Sequence, residues 1–377
     1  MTLSVCMIVG QDTNKLPRAL ASTTGIADEI IIAATAGSAG LENISAEYHA
    51  RVFDLPWSDD FSAARNAAFA QAAKDWILWL DSDEWLDLTS RRELALCLRH
   101  STALAWLTTI VDRSGLNNQP RFSPTPLPRL FLRRPELKLT GRVHEHFDPD
   151  LNVTAHQLAL NVQTSEVNIY HDGYSPEREN DKLRRNARLM ELQLQDEPGQ
   201  LFYQIRLSQA LLKLGDPRAF YFLSHALDQI RPLLACGATP SEPLVVELLD
   251  SVIVRQSRGE FDSGLPVDEL LQAALRWFPR WPPLIWRWAN RQFKEGRTAD
   301  AAEALENILE LARAGAYQQT PSFDAALLAA ETHLNLGICY AKLRRFQDAQ
   351  QCFTLAAHDP ARRAAAKRNL ELLAAAQ

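Results

Sequence analysis

Three uncharged apolar runs in the first eighty residues decide most of what this chain can fold into. Residues 3–9, 30–34 and 76–80 contain no Asp, Glu, Lys or Arg. A strand without polar alternation is expected to be buried on both faces. Residues 52–55 read as a further short strand. Helical stretches lie between these runs, at residues 16–22 and at the Ala-rich residues 62–74, where Ser62 is the N-cap candidate. This alternation implies an α/β fold, a mostly parallel sheet sandwiched by crossover helices.

Such sheets bind ligands beyond the carboxyl ends of their strands. Four segments should meet there: Gly10-Gln11-Asp12, Thr35-Ala36-Gly37-Ser38, Pro56-Trp57-Ser58-Asp59-Asp60 and Asp81-Ser82-Asp83-Glu84. Residues 112–128, rich in Pro, Ser, Asn and Gly, read as a loop over that edge. Strand character returns at residues 130–132, 138–143 and 168–171.

From Pro176 onward amphipathic helices replace strands, so the expected domains are 1–175 and 176–377. Leu336-Gly337, Tyr340, Ala349, Phe353 and Ala356 follow the small-and-large pattern of a tetratricopeptide repeat, with Pro360 near its expected end. Weaker units run through Tyr203, Leu207, Leu211 and Ala219, and through Trp286, Ala289, Phe293 and Ala302. A plain helical bundle is the alternative for these two. Together they give an all-α, tetratricopeptide-like domain behind the α/β one.

The 377 residues suffice for two domains, and 46% hydrophobic with 23% charged residues is ordinary globular composition. A net charge of −6 gives no general attraction to nucleic acid. The N-terminus lacks the features of a signal peptide, and no run is long enough for a transmembrane segment, so a cytoplasmic protein is expected. Five scattered cysteines without a Cys-x-x-Cys pair argue against a disulfide framework or a zinc site. They read as small buried hydrophobes.

Asp81-Ser82-Asp83-Glu84 ends a buried strand in three carboxylates. Residues i and i+2 of an extended chain point the same way, so Asp81 and Asp83 can face one point. Hard carboxylate oxygens suit Mg²⁺ or Mn²⁺, which typically bridge carboxylates to substrate phosphates. An acidic surface turn is the alternative. Arg65, read from the residues alone, is a helix-surface residue paired with Asp59 or Asp60. His171 is a core hydrogen-bonding residue on the same footing, and Trp79 and Trp286 are core side chains.

Residues 56–66 followed by 75–84 resemble the family-two glycosyltransferases of the GT-A fold. The opening residues 3–9, Arg129-Leu130-Phe131, Gly141-Arg142-Val143-His144-Glu145 and His171-Asp172-Gly173-Tyr174 match the same pattern in order. The chain is most similar to the bacterial branch with C-terminal tetratricopeptide repeats, which includes peptide S-glycosyltransferases that modify bacteriocins. The resemblance implies inverting transfer from a nucleotide-sugar donor, with a divalent metal as cofactor. It implies Asp81 and Asp83 as metal ligands and Glu145 as the general base. Arg65 and Asn66 would seat the nucleotide, Trp57 would wall the pocket, and His144 would contact the metal or diphosphate. The acceptor would be a protein or peptide held by the repeats, or a cell-surface glycan. A homodimer stays open.

Two positions depart from that pattern. Gly10-Gln11-Asp12 stands where relatives carry Lys-Asn-Glu. Ala34 stands where relatives carry an aspartate that contacts the nucleotide base. Loss of a charged hydrogen bond costs roughly 1.5–3 kcal/mol; Asp12 is the candidate substitute from the adjacent loop. The competing reading is a catalytically silent domain that serves as a partner-binding scaffold through its repeats.

Overall fold

The computed structural model describes residues 1–99, 102–113, 125–171 and 176–375. The chain divides into two compact units, one reaching Gly199 and one beginning at Gln200.

The first unit runs β1 (Leu3–Val9), α1 (Leu16–Thr23), β2 (Glu29–Ala34), α2 (Glu42–Glu47), β3 (Arg51–Asp54), α3 (Phe61–Ala70), β4 (Trp76–Trp79), β5 (Glu84–Leu86) and α4 (Leu88–Cys97). It continues with β6 (Ala103–Asp112), β7 (Thr125–Leu132), β8 (Leu139–Thr140), β9 (His146–Phe147), α5 (Leu151–Gln157), β10 (Asn161–His171) and α6 (Pro176–Asp196). The helical character therefore begins at Pro176, while α6 itself packs with the first unit.

Eight strands form one mixed sheet in the order β3-β2-β1-β4-β7-β6-β10-β5. The first four are mutually parallel, as is the β6–β10 pair. β7 runs antiparallel to both neighbours and β5 antiparallel to β10. Alternate residues serve opposite faces, as the two-residue strand period requires. Leu3, Val5, Met7, Ile30, Ile32, Trp76 and Leu78 pack with Leu16 and Leu20 of α1 and Leu94 of α4. Cys6, Ile31, Ala33, Ile77 and Trp79 pack on the other face with Phe69 of α3 and Leu151 of α5. That two-sided burial is why these strands read as uncharged runs.

Several local readings change. Residues 125–128, expected in a loop, belong to β7. Pro126 and Pro128 lie beyond the segment that pairs with β4, which covers Leu130 to Leu132, so their missing N–H groups cost no bond on that side. Residues 114–124 of the expected loop lie outside the described residues. The cap of α3 is Asp60, whose Oδ1 accepts from the Ala63 N–H at 2.9 Å. Ser62 instead donates to Asp60. The expected strand at 138–143 shrinks to β8, which pairs with β9 as a hairpin. Four cysteines are buried and Cys236 is exposed.

The second unit is helical: α7 (Leu201–Leu214), α8 (Ala219–Cys236), α9 (Val245–Ser257), α10 (Val267–Trp277), α11 (Pro282–Lys294), α12 (Thr298–Ala314), α13 (Ala330–Lys342), α14 (Phe346–Ala356) and α15 (Arg363–Ala375). Gly215 and Gly315 end α7 and α12 in the left-handed conformation that glycine adopts without strain. The α13–α14 hairpin realises the repeat pattern, with Leu336, Tyr340, Ala349, Phe353 and Ala356 all buried. Gly337 is required by the Phe353 ring, which a Cβ would approach at 2.6 and 2.8 Å. Phe353 is only 2% exposed and has little room to move. Gly337→Ala is therefore expected to destabilise the helical unit by about 1–3 kcal/mol in urea denaturation. An unchanged midpoint would show that the helices separate at no cost.

Candidate active site

The carboxyl end of β4 carries the acidic turn, and its side chains are bound by cations from three other elements. Arg65 of α3 is buried, with its guanidinium 3.9 Å above the Trp79 ring. Its Nη1 donates to Asp81 Oδ1 at 2.7 Å and its Nε to Glu145 Oε1 at 2.8 Å. The reading of Arg65 as a surface partner of Asp59 or Asp60 is thus corrected. Asp59 is held by Arg188 of α6 through two bonds of 2.7 Å, and Asp60 caps α3.

Arg129 of β7 covers the same tryptophan at 4.2 Å. Its Nη2 donates to Glu84 Oε1 at 3.0 Å and lies 3.6 Å from Asp81 Oδ2. Its Nε and Nη1 have no hydrogen-bond partner among the described residues. The aromatic face supplies part of the missing stabilisation. Burial disfavours charge on Asp81, but the Arg65 and Arg129 guanidiniums outweigh it and hold the carboxyl well below the usual carboxylate range. Glu84 moves the other way: burial, reinforced by the Asp81 and Asp83 charges, outweighs Arg129 and pushes it up to about 6.

Asp83 faces β10. Its Oδ2 lies 3.0 Å from His171 Nε2. Burial opposes charge on the imidazole, but the Asp83 carboxylate outweighs it and raises the pKa above the usual histidine value. His171 is thus a partner of the acidic turn rather than only a core hydrogen-bonder. Lys182 of α6 is half-buried, and its charge interacts with Asp83, Asp81 and Glu84. Burial, with Arg185 adding to it, pulls its ammonium pKa below the usual lysine value.

No group of three or more His, Cys, Asp or Glu side chains is arranged to hold a metal ion among the described residues. Asp83 Oδ2 and His171 Nε2 face each other in a hydrogen bond of 3.0 Å, so an ion bound there would have to replace that bond and the proton it shares. Such ions are commonly completed by water and substrate phosphate oxygens. Asp81 fits less well, because Oδ1 already accepts from Arg65 and from Trp79 Nε1 at 3.3 Å.

The loop at residues 141–145 joins β8 to β9. Asn66 donates to the Leu139 carbonyl at 2.8 Å and accepts from its N–H at 3.0 Å, so its amide binds β8 in the manner of a neighbouring strand. His144 is exposed, in the left-handed region at φ 57°. The next residue, Glu145, meets Arg65. Adjacent residues of α3 thus fix both a root of the loop and its last side chain.

Trp57 is 37% exposed, donates to Asp59 at 3.1 Å and packs edge-on against Phe61. Asp12 is exposed, and its Oδ1 accepts from the Asn14 N–H at 3.2 Å. Ala34 is buried and leaves no polar side chain at the end of β2. Asp54, not singled out in the sequence, accepts from the Ser38 N–H at 2.6 Å and ties down the loop after β2. The structure thus brings Arg65, Asp81 and Glu145 into one network and Asp83 onto His171.

Residues 4–150 match the family model "Glycosyl transferase family 2". A TPR repeat-containing protein of Synechococcus elongatus is 33% identical over 289 residues, covering 73% of this chain and 66% of the relative. The SPbeta prophage-derived glycosyltransferase SunS of Bacillus subtilis is 29% identical over 144 residues, covering 38% of this chain and 32% of SunS. The chain thus spans just under two thirds of the first relative and about a third of the second. A crystal structure of S. aureus TarS is 13% identical, with a TM-score of 0.40 over 73% of this chain and 90% of that one. That likeness is too loose to carry an inference. No helix among the described residues is long and apolar enough to cross a membrane. The family model thus places a glycosyl transferase family 2 domain at residues 4–150, and tetratricopeptide-like helices follow it in the same chain.

Proposed function

We propose that this chain transfers a sugar from a nucleotide-sugar donor to an acceptor, with inversion, using residues 1–175 as the transferase part and α6 as its support. The observation that carries the reading is the pairing of two carboxylate sets at one sheet edge. Arg65 joins Asp81 to Glu145, while Asp83 stands beside His171. Glu145 takes the proton of the acceptor as the acceptor attacks the anomeric carbon. The bond from that carbon to the diphosphate oxygen breaks on the opposite face. Asp83 and His171 would hold a divalent ion, Mg²⁺ or Mn²⁺, which neutralises the departing diphosphate when bound. Arg65 keeps Glu145 oriented, and Trp57 offers an exposed ring to the donor.

Glu145→Gln is expected to cut sugar-nucleotide turnover roughly a hundredfold or more, with donor affinity within about twofold of the parent. Loss of donor affinity in place of turnover would remove Glu145 from the role of base. The helices α7 to α15 are assigned to acceptor selection. Helical repeats present extended surfaces suited to a polypeptide, which favours a protein or peptide over a cell-surface glycan. The assigned compartment is the cytoplasm.

The second reading, a silent scaffold, is favoured by Ala34 at the end of β2. It predicts metal binding without turnover of any sugar nucleotide.

A further inference from the structure

The helical unit holds a cavity of its own. Its volume is about 500 Å³, within the range of about 300–1,000 Å³ that ligand pockets occupy. Leu309, Ala312 and Arg313 of α12 line it, with Tyr317 just past that helix, Leu328 at the end of the 3₁₀ turn Ala325–Leu328, and His333 of α13. Leu309, Ala312 and Leu328 are only half-buried and form apolar walls.

The three polar residues define what could fill the space. Arg313 is exposed, and its guanidinium has no ion pair or hydrogen bond among the described residues. Tyr317 packs edge-on against the buried Phe323, with ring centroids 6.0 Å apart. Its hydroxyl has no hydrogen-bond partner among the described residues. The loop that carries Tyr317 is anchored where the Gln318 N–H donates to the Arg280 carbonyl at 2.8 Å. His333 Nδ1 lies 2.8 Å from the Ala329 carbonyl. A carbonyl only accepts, so Nδ1 carries the proton, and in the neutral ring Nε2 is an acceptor. Burial outweighs the Ala329 bond and holds the imidazole pKa below the usual histidine value, which keeps the ring neutral.

A ligand that fits brings an anion for Arg313, a hydrogen-bond donor for His333 Nε2 and an apolar body for the leucines. The last residue of a polypeptide carries all three on one Cα when its side chain is apolar: the carboxylate, the N–H and the side chain. Arginine suits a carboxylate in particular, through its forked N–H groups. A free fatty acid lacks the N–H donor, and a phosphate lacks the apolar body. We propose that this pocket binds the carboxyl-terminal residue of a polypeptide ending in an apolar side chain, with Arg313 and Tyr317 on the carboxylate and His333 accepting from the terminal N–H. This goes beyond the transfer reading and does not rest on it, because the pocket is built from the second unit alone.

The test is fluorescence anisotropy of the full chain with short fluorescein-labelled peptides. They are Gly-Ser-rich and end in Leu, Val, Met, Phe or Trp, each as the free acid and as the amide. At least one free acid should bind, and its amide should bind about tenfold more weakly, the cost of a lost charged hydrogen bond. Arg313→Met should lose the same factor for the free acid and nothing for the amide, and Arg313→Lys should recover part of the loss. Arg313→Gln replaces the methionine variant if that one does not fold. Equal affinity for acid and amide overturns the assignment, as does an Arg313→Met chain that binds the acid as the parent does. Octanoate that binds the parent as tightly as the best peptide also overturns it, because the N–H is then idle. No binding of any peptide at millimolar concentration overturns it as well, and leaves the transfer reading intact.

Discussion

Asp83→Ala is expected to reduce sugar-nucleotide turnover roughly a thousandfold, the equivalent of several kcal/mol of transition-state stabilisation. It should leave the fold intact. The side chain is partly exposed, stands within the acidic turn and is hydrogen-bonded to His171. Its loss therefore opens no cavity in either apolar layer of the sheet. The check is steady-state turnover with Mn²⁺, beside the thermal midpoint of the same preparation. A rate within threefold of the parent would remove Asp83 from the metal site.

Arg65→Met should give the largest loss of stability. The side chain is only 8% exposed and bridges Asp81 and Glu145. Methionine keeps apolar contact with Trp79 but takes the Arg65 cation from Glu145 and leaves Asp81 only the more distant Arg129, 3.6 Å away. Breaking a buried pair in this way costs about 3–5 kcal/mol, read as a shift of the urea midpoint. Adding Glu145→Gln should return part of that cost, because one of the stranded charges is gone. Strict additivity of the two substitutions would mean that Arg65 and Glu145 are not coupled.

These expectations depend on contacts that the sequence revealed unevenly. β1, β2 and β4 were legible because burial on both faces leaves no polar alternation to confuse the reading. β7 was obscured by Pro126 and Pro128, which normally argue against an interior strand, and which are tolerated where β4 no longer runs alongside. β6 and the full length of β10 went unread, although residues 103–111 are apolar or carry threonine throughout. The acidic turn was visible as a local pattern, and so was the direction shared by its two aspartates.

What no local pattern could supply was the source of the cations. Arg65 and Glu145 are eighty positions apart, and His171 is eighty-eight from Asp83. Proximity in the chain instead suggested Asp59 and Asp60 as partners of Arg65. Lys182 lies farther still from the turn, on a helix that the change in composition assigned to the second domain. The capping of α3 shows the same effect on a small scale. Asp60 and Ser62 are both good caps, and only the observed geometry separates them.

The account centres on a donor site completed by a metal at the carboxyl edge of the first unit. The most direct measurement is thermal unfolding of the parent chain with a panel of sugar nucleotides, each in Mn²⁺, Mg²⁺ or EDTA. A ligand that binds only the folded state raises the midpoint by mass action. The account predicts a rise that requires both one class of donor and the metal, and that is lost in Asp83→Ala. No rise with any donor at millimolar concentration, or a rise unaffected by EDTA and by Asp83→Ala, would contradict it.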